Sequence, residues 1–199
     1  MSYIIAGLGN PGEEYAGTRH NTGRIVLDLI RKELDGAEFI FDKKLNAQTA
    51  EVKIGKEKAL LVAPDTFMNN SGKAIGQLIK NKKAAEKLLV IYDDFQLPIG
   101  RMKISFNKSS GGHNGLESVI KGVKTEAFPR LRVGTAPATV KGDAKIPHGE
   151  DKILKFILSP FKPDEMKIMK KLAKKAAEGV TLFVKEGRDK ATGIVNAQS

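Results

Sequence analysis

The chain has 199 residues, of which 41% are apolar and 29% charged, and it contains no cysteine. That length suits one compact domain, and the apolar share excludes a disordered chain. The absence of cysteine rules out disulfides, thiol nucleophiles and thiolate metal sites, so a metal would need histidine and carboxylates. No apolar run is long enough to cross a bilayer, and Met1-Ser2-Tyr3-Ile4-Ile5 lacks the basic leader of a secretory signal, so a cytoplasmic protein is expected. Lysine and arginine total 34 against 23 acids, a net charge of +11, which favours an anionic partner. Between Phe95 and Gly142 eight bases face two acids, so more than half of the excess lies in one quarter of the chain.

In chain order, Tyr3 to Ala6 reads as a buried strand that stops at Gly7 and feeds a glycine-rich loop. Ile25, Val26, Leu29, Ile30 and Leu34 recur at helical spacing, with Asn21 or Thr22 as the cap and an end before Gly36. Residues 37–42, 47–54 and 58–63 read as short strands, followed by a helix from about Ser71 to Lys82. Leu88 to Tyr92 is the strongest central-strand signal and ends in Asp93-Asp94, two carboxylates at the end of a buried strand. Arg101 to Phe106 alternates as an outer strand, Gly115 to Val123 reads as a helix, and Leu131 to Thr135 as another strand. Met166, Met169, Leu172, Ala173, Ala176, Val180 and Phe183 form the packing stripe of a helix over Asp164 to Glu186. The interleaving predicts an α/β fold: a three-layer sandwich with a mixed, mostly parallel sheet and helices on both faces, forming one catalytic domain over 1–187. Residues 188–199 are expected to be a flexible tail.

Gly7-Leu8-Gly9-Asn10-Pro11-Gly12 matches the dinucleotide fingerprint, but Glu13, Glu14, Tyr15 and Gly17 delay the helix until after His20. Two acids then stand where a pyrophosphate would bind, and no acid ends the next strand at the ribose distance. A phosphate-binding P-loop fails as well, because Ala74 follows Gly72-Lys73 and Phe67 occupies the first glycine position. A metal reading would join His20, His113, Asp93 and Asp94, but these come from scattered loops without helical ligand spacing. No metal or cofactor is therefore called for.

Three polar loops flanked by glycine remain: Gly9 to Gly12 leading to Arg19-His20-Asn21, Thr66 to Gly72, and Gly111 to Gly115. Each places an asparagine near a tight turn, where a carboxamide can both donate to and accept from a substrate. Asparagine cannot act as a base; His20 can, with Asp93 accepting from one ring nitrogen to fix the tautomer. Taken singly, each of these residues is ordinary turn chemistry.

Taken together they resemble bacterial-type peptidyl-tRNA hydrolase. The resemblance rests on Gly7 to Gly12 with Tyr15, on Thr18-Arg19-His20-Asn21 with Gly23, and on Thr66-Phe67-Met68-Asn69 with Ser71-Gly72. It continues in Asp93-Asp94 with Leu97-Pro98 and Gly100, in Gly111 to Leu116, and in Phe128 to Gly134, so that it covers nearly the whole chain. It implies hydrolysis of the ester that joins a peptide to the 3′-terminal ribose of tRNA, with His20 as the base for water, Asp93 orienting it, and Asn10 separating peptidyl from free aminoacyl substrates. It further implies that Asn69 and Asn114 hold peptide and water, and that Tyr15, Phe67 and Met68 line the groove. Arg132, with Lys103 or Lys108, would contact phosphates of the acceptor arm; Ser105 stands where some members carry a second base. The implied partner is tRNA carrying a peptide, and the implied enzyme is a cofactor-free monomer with no membrane association. The competing class is a noncatalytic RNA-binding module. His113 is expected to make a local structural hydrogen bond, and Gly142, Pro147 and Gly149 mark 138–151 as a segment that could gate the groove.

Overall fold

A computed structural model describes residues 2–197. The first apolar run forms β1 (Tyr3–Gly7), and its centre is buried because strands pair with it on both sides. These are β4 (Glu57–Pro64) and β5 (Leu88–Pro98), both parallel to β1. On the outer side of β4 the chain adds β3 (Ala47–Ile54) and β2 (Ile40–Asp42) as an antiparallel meander. On the outer side of β5 lie β7 (Pro129–Ala136), in parallel, and the antiparallel edge strand β6 (Met102–Phe106). The seven strands run β2-β3-β4-β1-β5-β7-β6, a mixed sheet whose four central strands are parallel.

Alternation along the strands divides the core. Ile5, Leu61, Leu89, Ile91, Leu131 and Val133 pack against α1 (Thr22–Glu33), α6 (Pro163–Glu186) and α7 (Arg188–Ala197). Ile4, Ala6, Val62, Leu88, Val90 and Tyr92 face α2 (Ser71–Leu78), α3 (Lys82–Ala85) and α4 (Asn114–Val123). This is the three-layer sandwich expected from the sequence.

Several boundaries move. The strand expected over 37–42 shortens to Ile40–Asp42. The helix expected to Lys82 ends at Leu78; Asn81 then starts α3, its side chain accepting from the Ala84 amide at 2.9 Å. The central strand continues past Tyr92 to Pro98, with an irregularity after Asp94, so the two carboxylates lie within β5 and not at its end. A helix that the sequence did not suggest, α5 (Glu150–Ile157), follows the irregular stretch before it. The tail expected to be flexible is helical from Arg188 to Ala197, because Ala191 and Val195, four residues apart on one face, are buried in the α6 side of the core. Residues 198–199 of that stretch lie outside the described residues.

Candidate active site

The loop after β1 turns twice through short 3-10 segments, Glu13–Tyr15 and Arg19–Asn21, before α1 begins. This differs from a dinucleotide fold, where the glycine loop opens directly into a helix. The glycines here serve a close approach: a Cβ on Gly7 would lie 2.4 Å from the Gly23 carbonyl oxygen, and one on Gly23 would lie 2.3 Å from the Ile91 carbonyl oxygen. The first turn of α1 is thereby pressed onto the end of β1 and onto β5 at Ile91. The preceding turn, which carries His20, is delivered to Asp93.

His20 and Asp93 are both buried, and Nδ1 of His20 lies 3.1 Å from each carboxylate oxygen. A second imidazole reaches the same carboxylate: Nε2 of His113 is 2.9 Å from Asp93 Oδ1. His113 is also the N-cap of α4, its Nδ1 accepting from the Leu116 amide at 3.1 Å. An Nδ1 that accepts must be unprotonated, so the His113 proton sits on Nε2 and is given to Asp93. The local hydrogen bond expected of His113 is present, and the contact with Asp93 is the part the sequence did not reveal. The rings of His20 and His113 are 5.0 Å apart, and Tyr92 meets His113 edge-on at 4.9 Å.

Electrostatics follow from this packing. Burial disfavours charge on Asp93, but the two imidazoles outweigh it and hold the carboxyl well below the ordinary carboxylate range. Burial alone would likewise lower the His20 pKa; the Asp93 charge and hydrogen bond overcome that and raise it above its usual value. Burial pushes the Tyr92 phenol up to about 12, so it remains a neutral hydroxyl. Ligand atoms of His20, Asp93 and His113 lie within 4.8 Å of one another, close enough for a cation. A cation between them would have to displace the protons that the two rings direct at Asp93.

The cluster opens into a cavity of about 490 Å³ walled by His20, Tyr92, Asp93, His113 and Asn114 on one side, and by Ser105, Lys108 and Arg132 on another. Helix α5 contributes Glu150, Ile153 and Ile157 to the same wall. Arg132 is tied to Asp94, with Nε at 2.7 Å and Nη2 at 2.6 Å from Oδ2. The neighbouring base, Arg130, is fully buried against Phe128. It donates to the carbonyls of Lys108, Ser109 and Glu126, so it braces the cavity loop from beneath and offers no charge to a partner.

Asn10 stands outside this wall and links two other loops. Its Oδ1 accepts from the Met68 amide at 2.8 Å, while its backbone N–H and carbonyl are held by the Asn21 carboxamide at 2.8 and 2.9 Å. Asn21, considered as a helix cap, makes no capping bond; its side chain serves Asn10 instead. Tyr15 and Phe67 meet edge-on at 6.4 Å beside these loops, with Phe67 58% exposed, and Asn69 is exposed. Met68, expected to line the groove, is buried in the core, and a Cβ on Gly115 would meet both its sulfur and Leu8. Met68 and Gly115 of two polar loops thus meet Leu8, the residue before the third. Lys103 is exposed on β6, and its backbone pairs with Arg132.

Comparison with known proteins matches residues 4–199 to the peptidyl-tRNA hydrolase family. Peptidyl-tRNA hydrolase of Desulfitobacterium hafniense is 41% identical over 194 residues, covering 97% of this chain and 98% of that protein. The Aquifex aeolicus enzyme is 38% identical over 196 residues, covering 98% and 96%. Among solved structures, peptidyl-tRNA hydrolase from Acinetobacter baumannii superposes with a TM-score of 0.85 at 26% identity, covering 98% of this chain and 95% of that one. The fold and these matches define a hydrolytic enzyme with an α/β sandwich fold whose substrate is an RNA conjugate. The chain belongs to the peptidyl-tRNA hydrolase family, and it hydrolyses peptidyl-tRNA.

Proposed function

We propose that His20 is the general base of this reaction and Asp93 its orienting carboxylate. The observation that carries the reading is the single-sided engagement of the imidazole: Nδ1 is directed at Asp93, which leaves Nε2 with its lone pair at the cavity. In this scheme Nε2 takes a proton from water as the water oxygen attacks the ester carbonyl carbon, forming a tetrahedral oxyanion. Collapse breaks the bond to the ribose oxygen, which takes the proton from the imidazolium, and the peptide leaves with a free carboxyl group. An ester with a ribose leaving group needs no covalent protein intermediate when water and base are already placed.

Asn10 supports selectivity. With Oδ1 occupied by Met68, the carboxamide retains its N–H donors for a substrate carbonyl, and among the described residues those donors have no partner. A peptidyl group supplies such a carbonyl beyond the ester, and a free aminoacyl group does not. Tyr15, Phe67 and Asn69 form the surface on that side. In this reading Asn114, in the cavity wall, holds water, and Arg132 and Lys108 of the same lining, with Lys103 exposed on β6 beside Arg132, take the acceptor-arm phosphates. The bridge from Arg132 to Asp94 holds the guanidinium in place without using all of its donors.

The deciding experiment pairs an N-blocked aminoacyl-tRNA with its unblocked counterpart and scores release of the acyl group by native enzyme and by His20→Ala. Native enzyme is expected to cleave the blocked substrate alone, and His20→Ala to bind tRNA without turnover; undiminished turnover would exclude His20 as the base. The same reading takes the enzyme as a cytoplasmic monomer built on one catalytic unit that includes α7 in its core, and light scattering with and without tRNA checks the oligomeric state.

A further inference from the structure

Strand β6 is the outer edge of the sheet and pairs only with β7, so its other side would ordinarily present free backbone groups. One side chain takes that place. Asn196, near the end of α7, accepts from the Ile104 amide through Oδ1 at 2.7 Å and donates through Nδ2 to the Ile104 carbonyl at 3.0 Å. The carboxamide imitates a neighbouring strand for one residue. At the other end of α7, the Arg188 guanidinium lies 3.8 Å from the centre of the Phe106 ring. Helix α7 therefore grips β6 at two points two residues apart.

The gripped residue lies between two that face the cavity side. Met102 and Ile104 are buried on the α6 and α7 face, so alternation sends Lys103 and Ser105 to the opposite face. There Lys103 is level with Arg132, and Ser105 with Arg130. Ser105 is part of the cavity wall, and the strand runs on into the loop that carries Lys108 along that wall.

We propose that Asn196 is a positioning residue for RNA binding: by fixing Ile104 from outside the sheet, it sets Lys103 and Ser105 in register with Arg132. The proposal rests on the reading that this face holds acceptor-arm phosphates. An edge strand with a neighbour on one side only can twist outward when its cations are drawn to a charged ligand, and the two bonds from Asn196 oppose that movement. The base belongs to the turn before α1 and its carboxylate to β5, so chemistry at the ester does not pass through this clamp.

The test compares steady-state cleavage of an intact N-acyl-aminoacyl-tRNA with that of an N-acyl-aminoacyl-adenosine fragment lacking the acceptor stem. Asn196→Ala is expected to raise KM for the intact substrate about tenfold, the effect of two lost hydrogen bonds, with kcat unchanged and fragment cleavage unaltered. Asn196→Asp keeps the acceptor and loses the donor, and should fall between. Arg188→Ala provides a second route to the same effect if Asn196→Ala folds poorly. Equal slowing of both substrates would reduce α7 to a purely structural element and overturn the proposal, as would no change in either. Arg132→Ala is run alongside: if it too leaves KM for intact tRNA unchanged, the phosphate reading itself fails. If Arg132→Ala raises KM and Asn196→Ala does not, only the clamp fails.

Discussion

Gly23 lies so close to Ile91 that a Cβ on it would come within 2.3 Å of the Ile91 carbonyl oxygen. This contact fixes where α1 starts and, through it, where His20 stands relative to Asp93, since Ile91 precedes Asp93 by two residues on β5. Gly23→Ala must push the helix off the sheet, at a cost of about 1–3 kcal/mol. Chemical denaturation should show that loss. Activity measured on the protein that remains folded should fall as well, because the displaced turn carries the base.

The paired charges set the pH dependence. His20 must be neutral to accept a proton, and Asp93 raises its pKa, so the acid limb of kcat should have its midpoint above 6.5. In Asp93→Asn the carboxylate is gone and burial remains, which disfavours the imidazolium. The midpoint should move to lower pH while the rate falls by about 10²-fold or more. A profile of kcat from pH 5 to 9 tests both signs, and an unmoved limb would separate the two residues. Stability has the same origin: the gain from the raised pKa is fully present below about 6.5 and is lost as pH rises through the folded value.

His113 has two functions that substitution can separate. His113→Ala removes both the contact with Asp93 and the cap of α4, costing about 0.5–2 kcal/mol of stability for the cap. His113→Ser restores an N-cap acceptor but cannot reach Asp93. Its melting temperature should recover toward that of native protein while kcat stays depressed, and recovery of both would limit His113 to capping.

For Arg132, the expected signature is electrostatic. Native binding of tRNA should weaken with salt, and Arg132→Ala should lower the magnitude of the log–log slope by about 0.7 to 0.9, the value for one phosphate contact. An identical slope would place the phosphates elsewhere.

Incubation with a chelator, followed by assay in buffer free of divalent transition metals, should leave cleavage of the adenosine fragment intact. Loss of that activity, restored by one added cation, would move His20, Asp93 and His113 from a hydrogen-bonded set to a ligand set.

Much of this is legible in the sequence. The strands β1 and β5 announced themselves as short apolar runs, and the polar loops as glycine-flanked asparagines, because those signals are local. The contacts that organise the site are not local. Asn21 looked like a helix cap and instead holds Asn10, eleven residues away. Arg130 and Arg132 lie two residues apart on one face of β7, yet bonds to the loop carbonyls of Lys108 and Ser109 bury the first beneath the cavity and leave the second in its wall. Met68 belonged to a motif that suggested the groove, but its backbone serves Asn10 and its side chain fills the core. The helix α7 was missed because Gly193 and a polar face weaken its pattern; only the packing of Ala191 and Val195 reveals it.

Arg19, the neighbour of His20, lies between the rings of Phe156 and Phe161 and binds Thr135, Ser159 and Glu165, partners up to 146 residues further along the chain. The turn that carries His20 can therefore reach its final set of partners only after residue 165 has been made. During its own synthesis, the nascent enzyme is itself a peptidyl-tRNA, and most of it must leave the ribosome before that turn is locked in place.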